Sequence, residues 1–213
     1  MLVIGNIVSN RLLPDWAYVP WNLAVTAVVL VVAGRAVGLA EQGWTRWRVG
    51  FRWGLAVVAL TALVYVVGLV VVEDLFRDRR VDGGTARMLF ETLVRIPLGT
   101  VVLEEVACRG ALPAVLARRW GVRRAVVVAS LLFGLWHVLP AWGIDDVNPV
   151  LDRVLGDGWA AQAGGIALAV AGTFGAGLWL SWLRYRSGSL LAPLLAHVGT
   201  NSLAYLLAWL VTR

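Results

Sequence analysis

Glu104 and Glu105 stand side by side, and Arg109 follows four residues after the second. The chain has two histidines: His137, four residues after Phe133, and His197, four residues before Asn201. All of these side chains fall inside long apolar stretches. An ionisable group in a membrane-type segment costs about 2.5 kcal/mol or more to insert, so each is a functional-site candidate by default. On a helix the four-residue spacing puts Glu105 and Arg109 on one face, where they can pair, and does the same for His197 and Asn201. Glu104 is rotated by roughly 100° from its neighbour and needs a different partner. One glutamate can thus be neutralised by the arginine while the other points into a cavity. A carboxylate and an imidazole around a trapped water can activate it as a nucleophile. A second imidazole and an amide can donate hydrogen bonds to the oxyanion of a tetrahedral intermediate. These are the parts of amide hydrolysis. The same groups in a row would also relay protons, and spacing does not separate the two.

The elements that must hold these residues follow from composition. Of 213 residues, 60% are hydrophobic and only 15% charged, against roughly a quarter charged in a soluble domain. The chain reads as one all-α membrane domain, residues 1–213, a polytopic helical bundle. Six spans are expected: about Ala17–Ala40, Gly54–Val72, Met88–Ala117, Val122–Leu139, Gln162–Leu183 and Leu190–Val211. Each is near the roughly 20 residues that cross a hydrocarbon core as a helix. Arg87, Glu91 and Arg95 recur every four residues, so Met88–Arg95 fits an interfacial helix redirected at Pro97; one continuous tilted helix fits equally. Gly172, Gly175 and Gly177 read as points of close helix approach. Many of the twelve tryptophans lie near span ends, as an interfacial belt requires.

The net charge of +6 is carried entirely by arginine. The arginines fall between apolar runs, which assigns the excess to membrane topology and excludes a nucleic-acid partner. Arg46, Arg48 and Arg52 follow the first span; Arg118, Arg119, Arg123 and Arg124 separate the third and fourth; Arg184 and Arg186 separate the fifth and sixth. These loops are expected in the cytoplasm, with both termini outside. The loop 140–161 is acidic, and Asp145, Asp146 and Asp157 are expected as solvated residues and not as a cation site. Met1–Asn10 lacks the basic start of a cleavable signal peptide, and the lone Cys108 excludes an internal disulfide and reads as a small apolar filler. Counted from the basic loops, Glu104 is fourteen residues from Arg118, His137 thirteen from Arg124 and His197 eleven from Arg186. At about 1.5 Å per residue they share a layer roughly 16–21 Å deep.

Glu104-Glu105-x-x-x-Arg109, Phe133-x-x-x-His137 and His197-x-x-x-Asn201, in that order on successive apolar helices, resemble the CPBP family of CAAX-protease and bacteriocin-processing (Abi-type) membrane proteins. The resemblance places a catalytic core at residues 88–206 and leaves residues 1–87 as N-terminal helices with no recognised motif. It implies an intramembrane endopeptidase of glutamic type. Glu104 would be the water-activating base, His137 would help hold the water, and His197 and Asn201 would stabilise the oxyanion. Glu105 and Arg109 would orient the site, with Phe133 packed beside it. Many relatives carry Asp where Asn201 stands; Asn favours hydrogen-bond donation over metal ligation. No cofactor is expected. Two histidines and a glutamate could form a three-ligand zinc site, but there is no His-Glu-x-x-His pair and the ligands would come from three helices. The expected partners are the lipid bilayer and a membrane-associated peptide or protein substrate. The expected location is a bacterial plasma membrane, crossed several times. A proton-coupled transporter and a non-catalytic scaffold are the alternatives.

Overall fold

The computed structural model describes residues 2–144, 147 and 149–213. Asp145 and Asp146 of the acidic loop lie outside the described residues. Among those described, the chain is helical throughout and carries no strand. It opens with α1 (Leu2–Ile7), continued by a π-helical turn, Val8–Leu12. The main helices that follow are α2 (Asp15–Gly34), the short α3 (Leu39–Gln42) and α4 (Trp47–Val71). Next comes a helical run made of α5 (Thr85–Phe90), π-helical Glu91–Val101, α6 (Val102–Glu105), π-helical Val106–Ala111 and α7 (Leu112–Trp136). The short α8 (Pro149–Leu155), then α9 (Trp159–Ser187) and α10 (Leu191–Val211), complete the chain.

Among the described residues, four helical stretches are long and apolar enough to cross a membrane: Asp15–Gly34, Leu39–Val71, Trp159–Ser187 and Leu191–Val211. The other two segments nominated by the sequence are helical as well. They are less apolar because one carries Glu91, Arg95, Glu104, Glu105 and Arg109, and the other starts in an arginine cluster. The polar groups are shared between these two segments and α10, which carries His197, and the later half of α7 still exposes Val127, Leu131, Leu132 and Leu135. α4 is the most outward: little of it is buried, and Leu60, Leu63, Val64 and Val70 are exposed, as lipid contact demands.

The third segment resolves the choice left by Pro97. Helix continues through the proline, which sits in a π-helical stretch closed by Val102 N–H donating to the Pro97 carbonyl. A wider turn accommodates a residue that lacks its own N–H and crowds the preceding carbonyl. The chain then turns back at Gly121, whose φ of 75° and ψ of 161° are not helical. Without that reversal Glu104 and His137 would lie about 50 Å apart along one rod; instead they line one cavity.

α4 and α10 approach closely because small residues face large ones. A Cβ on Gly54 would stand 2.7 Å from Leu195 Cβ, and one on Gly199 would stand 2.6 Å from Val58 Cγ2. With Gly50, Gly54 forms a small-x-x-x-small pair of the kind that lets membrane helices pack backbone to backbone. Gly54→Val is expected to lower stability by about 1–3 kcal/mol, read as an earlier unfolding midpoint of the detergent-solubilised protein.

The three basic loops gather at one end of the bundle. Arg118 holds Glu41 with two hydrogen bonds, of 2.7 and 3.1 Å, and also donates to the Ala36 carbonyl. Arg184 donates to the Glu41 carbonyl at 2.8 Å, Thr45 to the Gly188 carbonyl at 3.0 Å, and Leu190 N–H to the Gly43 carbonyl at 2.8 Å. Gly43 is left-handed (φ 94°) and lies under the Arg184 guanidinium, so a side chain there would collide with it. At the other end Arg79 bridges to Val147 and Asp152, and Trp209 donates to the Gly83 carbonyl.

Candidate active site

Glu105 is fully buried and shared. Its Oε1 lies 3.0 Å from Arg109 Nη1 and accepts a 2.8 Å hydrogen bond from His197 Nδ1. The first contact is the pairing that the four-residue spacing predicts. The second joins helices 92 positions apart in the chain. Because a carboxylate accepts, Nδ1 of His197 carries a proton, and Nε2 is turned toward Glu104, whose Oε2 is 3.8 Å away. That gap is too long for a direct hydrogen bond.

Phe133 is the shelf of the cluster. The Arg109 guanidinium lies over its ring at 3.8 Å, a desolvated cation–π contact. The rings of His137 and His197 meet it edge-on, with centroids at 4.7 and 6.0 Å. His137 caps α7, and its Nδ1 donates to the Phe133 carbonyl at 2.8 Å. The last carbonyls of a helix have no partner within it, and an imidazole there satisfies one. In the neutral ring, His137 Nε2 is left as an acceptor.

Glu104 makes no ion pair with Arg109. It lines a cavity of about 130 Å³ with His137, Tyr18, Asn22, Thr100 and Trp136. This space is large enough for several waters. Its polar wall includes residues that the motif search did not nominate. Tyr18 and Thr100 share a 3.1 Å hydroxyl hydrogen bond, and Asn22 donates to the Gly99 carbonyl at 2.7 Å. Asn22 is buried, and its Oδ1 has no hydrogen-bond partner. An amide inside the first apolar run is the signal in the sequence that points to Asn22.

Glu104, Glu105, Arg109, Phe133, His137 and His197 therefore form one cluster. Asn201 lies one turn along α10 from His197 and borders a separate hollow with Tyr65, Ile96 and Tyr205. Cys108 is buried in the core beside Val106, Ala107 and Ala111. Among the described residues no three His, Cys, Asp or Glu side chains are grouped as metal ligands would be.

The helical bundle thus sets a buried acid–imidazole cluster against a polar cavity. The chain belongs to the type II CAAX prenyl endopeptidase Rce1-like family, whose family model matches residues 86–203, more than half of its length. The match bears out the resemblance to CAAX-protease-like intramembrane endopeptidases. It spans all seven motif residues and leaves Tyr18 and Asn22 outside. No curated protein and no solved structure is matched by the chain.

Proposed function

We propose that the protein hydrolyses a peptide bond of a membrane-associated peptide or protein, using water activated by Glu104. The observation that carries this reading is the division of labour between the two glutamates. Glu105 is engaged by Arg109 and His197, whereas Glu104 faces the cavity beside His137. Water held between Glu104 and His137 Nε2 attacks the scissile carbonyl carbon and gives its proton to Glu104. The oxyanion that forms is stabilised by donation from Nε2 of an imidazolium His197, with Glu104 and Glu105 together balancing that charge and the charge of Arg109. Glu104 then passes the proton to the departing amine, and the C–N bond breaks. Asn201 contributes its amide to a peptide that bridges the cavity and the neighbouring hollow.

The donor set fits a metal poorly. Among the described residues no three His, Cys, Asp or Glu side chains stand together as metal ligands would, so no step is assigned to a metal. Cleavage is expected to persist when the purified, reconstituted protein is treated with a strong chelator. Loss of activity restored by zinc would refute the metal-free route.

The whole reading is tested by comparing peptide termini in membranes holding wild-type protein or Glu104→Ala. A set of termini present only with the wild type is expected. Unchanged termini, together with a proton leak in liposomes that Glu104→Ala abolishes, would favour a relay instead.

A further inference from the structure

The cavity wall contributed by α2 carries hydrogen-bonding capacity that no group of the protein takes up. Asn22 lines the cavity and is 2% exposed. Its amide donates to the Gly99 carbonyl at 2.7 Å. A carbonyl only accepts, so the nitrogen is the atom that faces Gly99, and Oδ1 is the atom left without a partner. One turn away along α2, the hydroxyls of Tyr18 and Thr100 share a 3.1 Å hydrogen bond. Whichever of them donates, the other keeps a proton that this bond does not use. The wall therefore presents one acceptor and one donor.

Both groups are held firmly. A Cβ on Gly99 would stand 3.1 Å from the Tyr18 ring and from Val19, so α2 lies directly against that stretch of backbone. The Arg95 guanidinium covers the Tyr18 ring at 4.6 Å and is itself held by Glu91 at 3.1 Å. A wall fixed in this way loses little freedom when a ligand binds. The nucleophilic water is not the donor that Asn22 lacks. A water has two protons, and in the proposed mechanism Glu104 and His137 Nε2 accept them both. Asn22 Oδ1 is left for an N–H that arrives with the substrate.

Building on the peptidase reading, we propose that Asn22 and the Tyr18–Thr100 pair position the substrate main chain in extended form, Asn22 Oδ1 accepting an N–H that flanks the scissile bond and the free hydroxyl proton going to a carbonyl. The N–H and C=O of one residue point to the same side of an extended strand, where a neighbour can take both. In a helix both are engaged internally. Space argues the same way: one helical turn with its side chains fills roughly 400 Å³, and the cavity measures about 130 Å³. A segment that reaches Glu104 is therefore unwound. Gly99 and Glu104 are five residues apart, at most about 7 Å along the helix. An extended chain advances about 3.3 Å per residue, so the N–H taken by Asn22 lies within about two residues of the cleaved bond.

The probe is a synthetic peptide spanning the most abundant Glu104-dependent cleavage site found in the membrane comparison, assayed in proteoliposomes. Each amide N–H near the scissile bond, other than the scissile one, is replaced in turn by an ester oxygen. With the wild type, one such ester is expected to lower kcat/KM about 5–100-fold, because Asn22 Oδ1 is then buried against an oxygen. With Asn22→Leu, the unmodified peptide is expected to lose about 2–10-fold, and the same ester to cost nothing further. An Asn22 that only braced α2 would slow all peptides alike and leave the ester penalty in place, which would overturn the positioning role. If Asn22→Leu does not fold, the ester scan on the wild type decides alone: cleavage with no sensitive amide would overturn the proposal and leave the peptidase reading standing. Absence of any Glu104-dependent termini would overturn the peptidase reading, and this role with it.

Discussion

Glu104→Gln is expected to reduce peptide cleavage by about 10²–10⁴-fold, the range for loss of a general base, and to leave the unfolding midpoint nearly unchanged. The substitution keeps the side chain's shape and removes only its capacity to take a proton. Glu104 makes no ion pair with Arg109, so losing its charge leaves the fully buried Glu105–Arg109 pair intact. The adjacent Glu105→Gln should show a contrasting signature. It weakens the hold on Arg109 and frees the His197 ring, so stability and turnover fall together. Kinetics of both variants in proteoliposomes, beside their thermal unfolding in detergent, check the contrast. Two neighbouring glutamates with matching losses of activity and of stability would refute the division of roles.

Arg109→Met should be the most destabilising change at the site. The guanidinium is buried between the Glu105 carboxylate and the Phe133 ring. Removing one partner of a buried pair leaves an uncompensated charge and costs about 3–5 kcal/mol. For a chain of this size that corresponds to a midpoint lower by about 10 °C. In a Glu105→Gln background the same substitution should cost less, because no carboxylate is stranded. The difference measures the coupling, expected at about 0.5–3 kcal/mol for contacting residues. Equal costs in both backgrounds would show that the pair adds nothing beyond packing.

The sequence made the site-bearing helices legible because hydrocarbon makes charge conspicuous: Glu104, Glu105, Arg109, His137 and His197 stand out against their neighbours. Helical spacing reached as far as Glu105–Arg109, two residues on one face. It did not reach Glu105–His197, since spacing says nothing about which face of α10 turns toward which face of α6. Asn201 shows the same limit. It shares a helical face with His197, yet a turn of rise carries it to a different hollow. Pro97 could have marked either a break or a bulge, and only the packing around it decides. Asn22 was overlooked because a neutral amide in an apolar run raises a weaker alarm than a charge, although its buried oxygen lacks a partner.

The cavity has walls of two origins. The reacting groups come from the stretch that matches the family, while Tyr18 and Asn22 come from a helix that precedes it. On the proposed mechanism, changing Tyr18 and Asn22 while keeping Val25, Val29 and Ala33, which share a core with Leu103 and Phe133, would alter which peptides gain entry more than how they are cut.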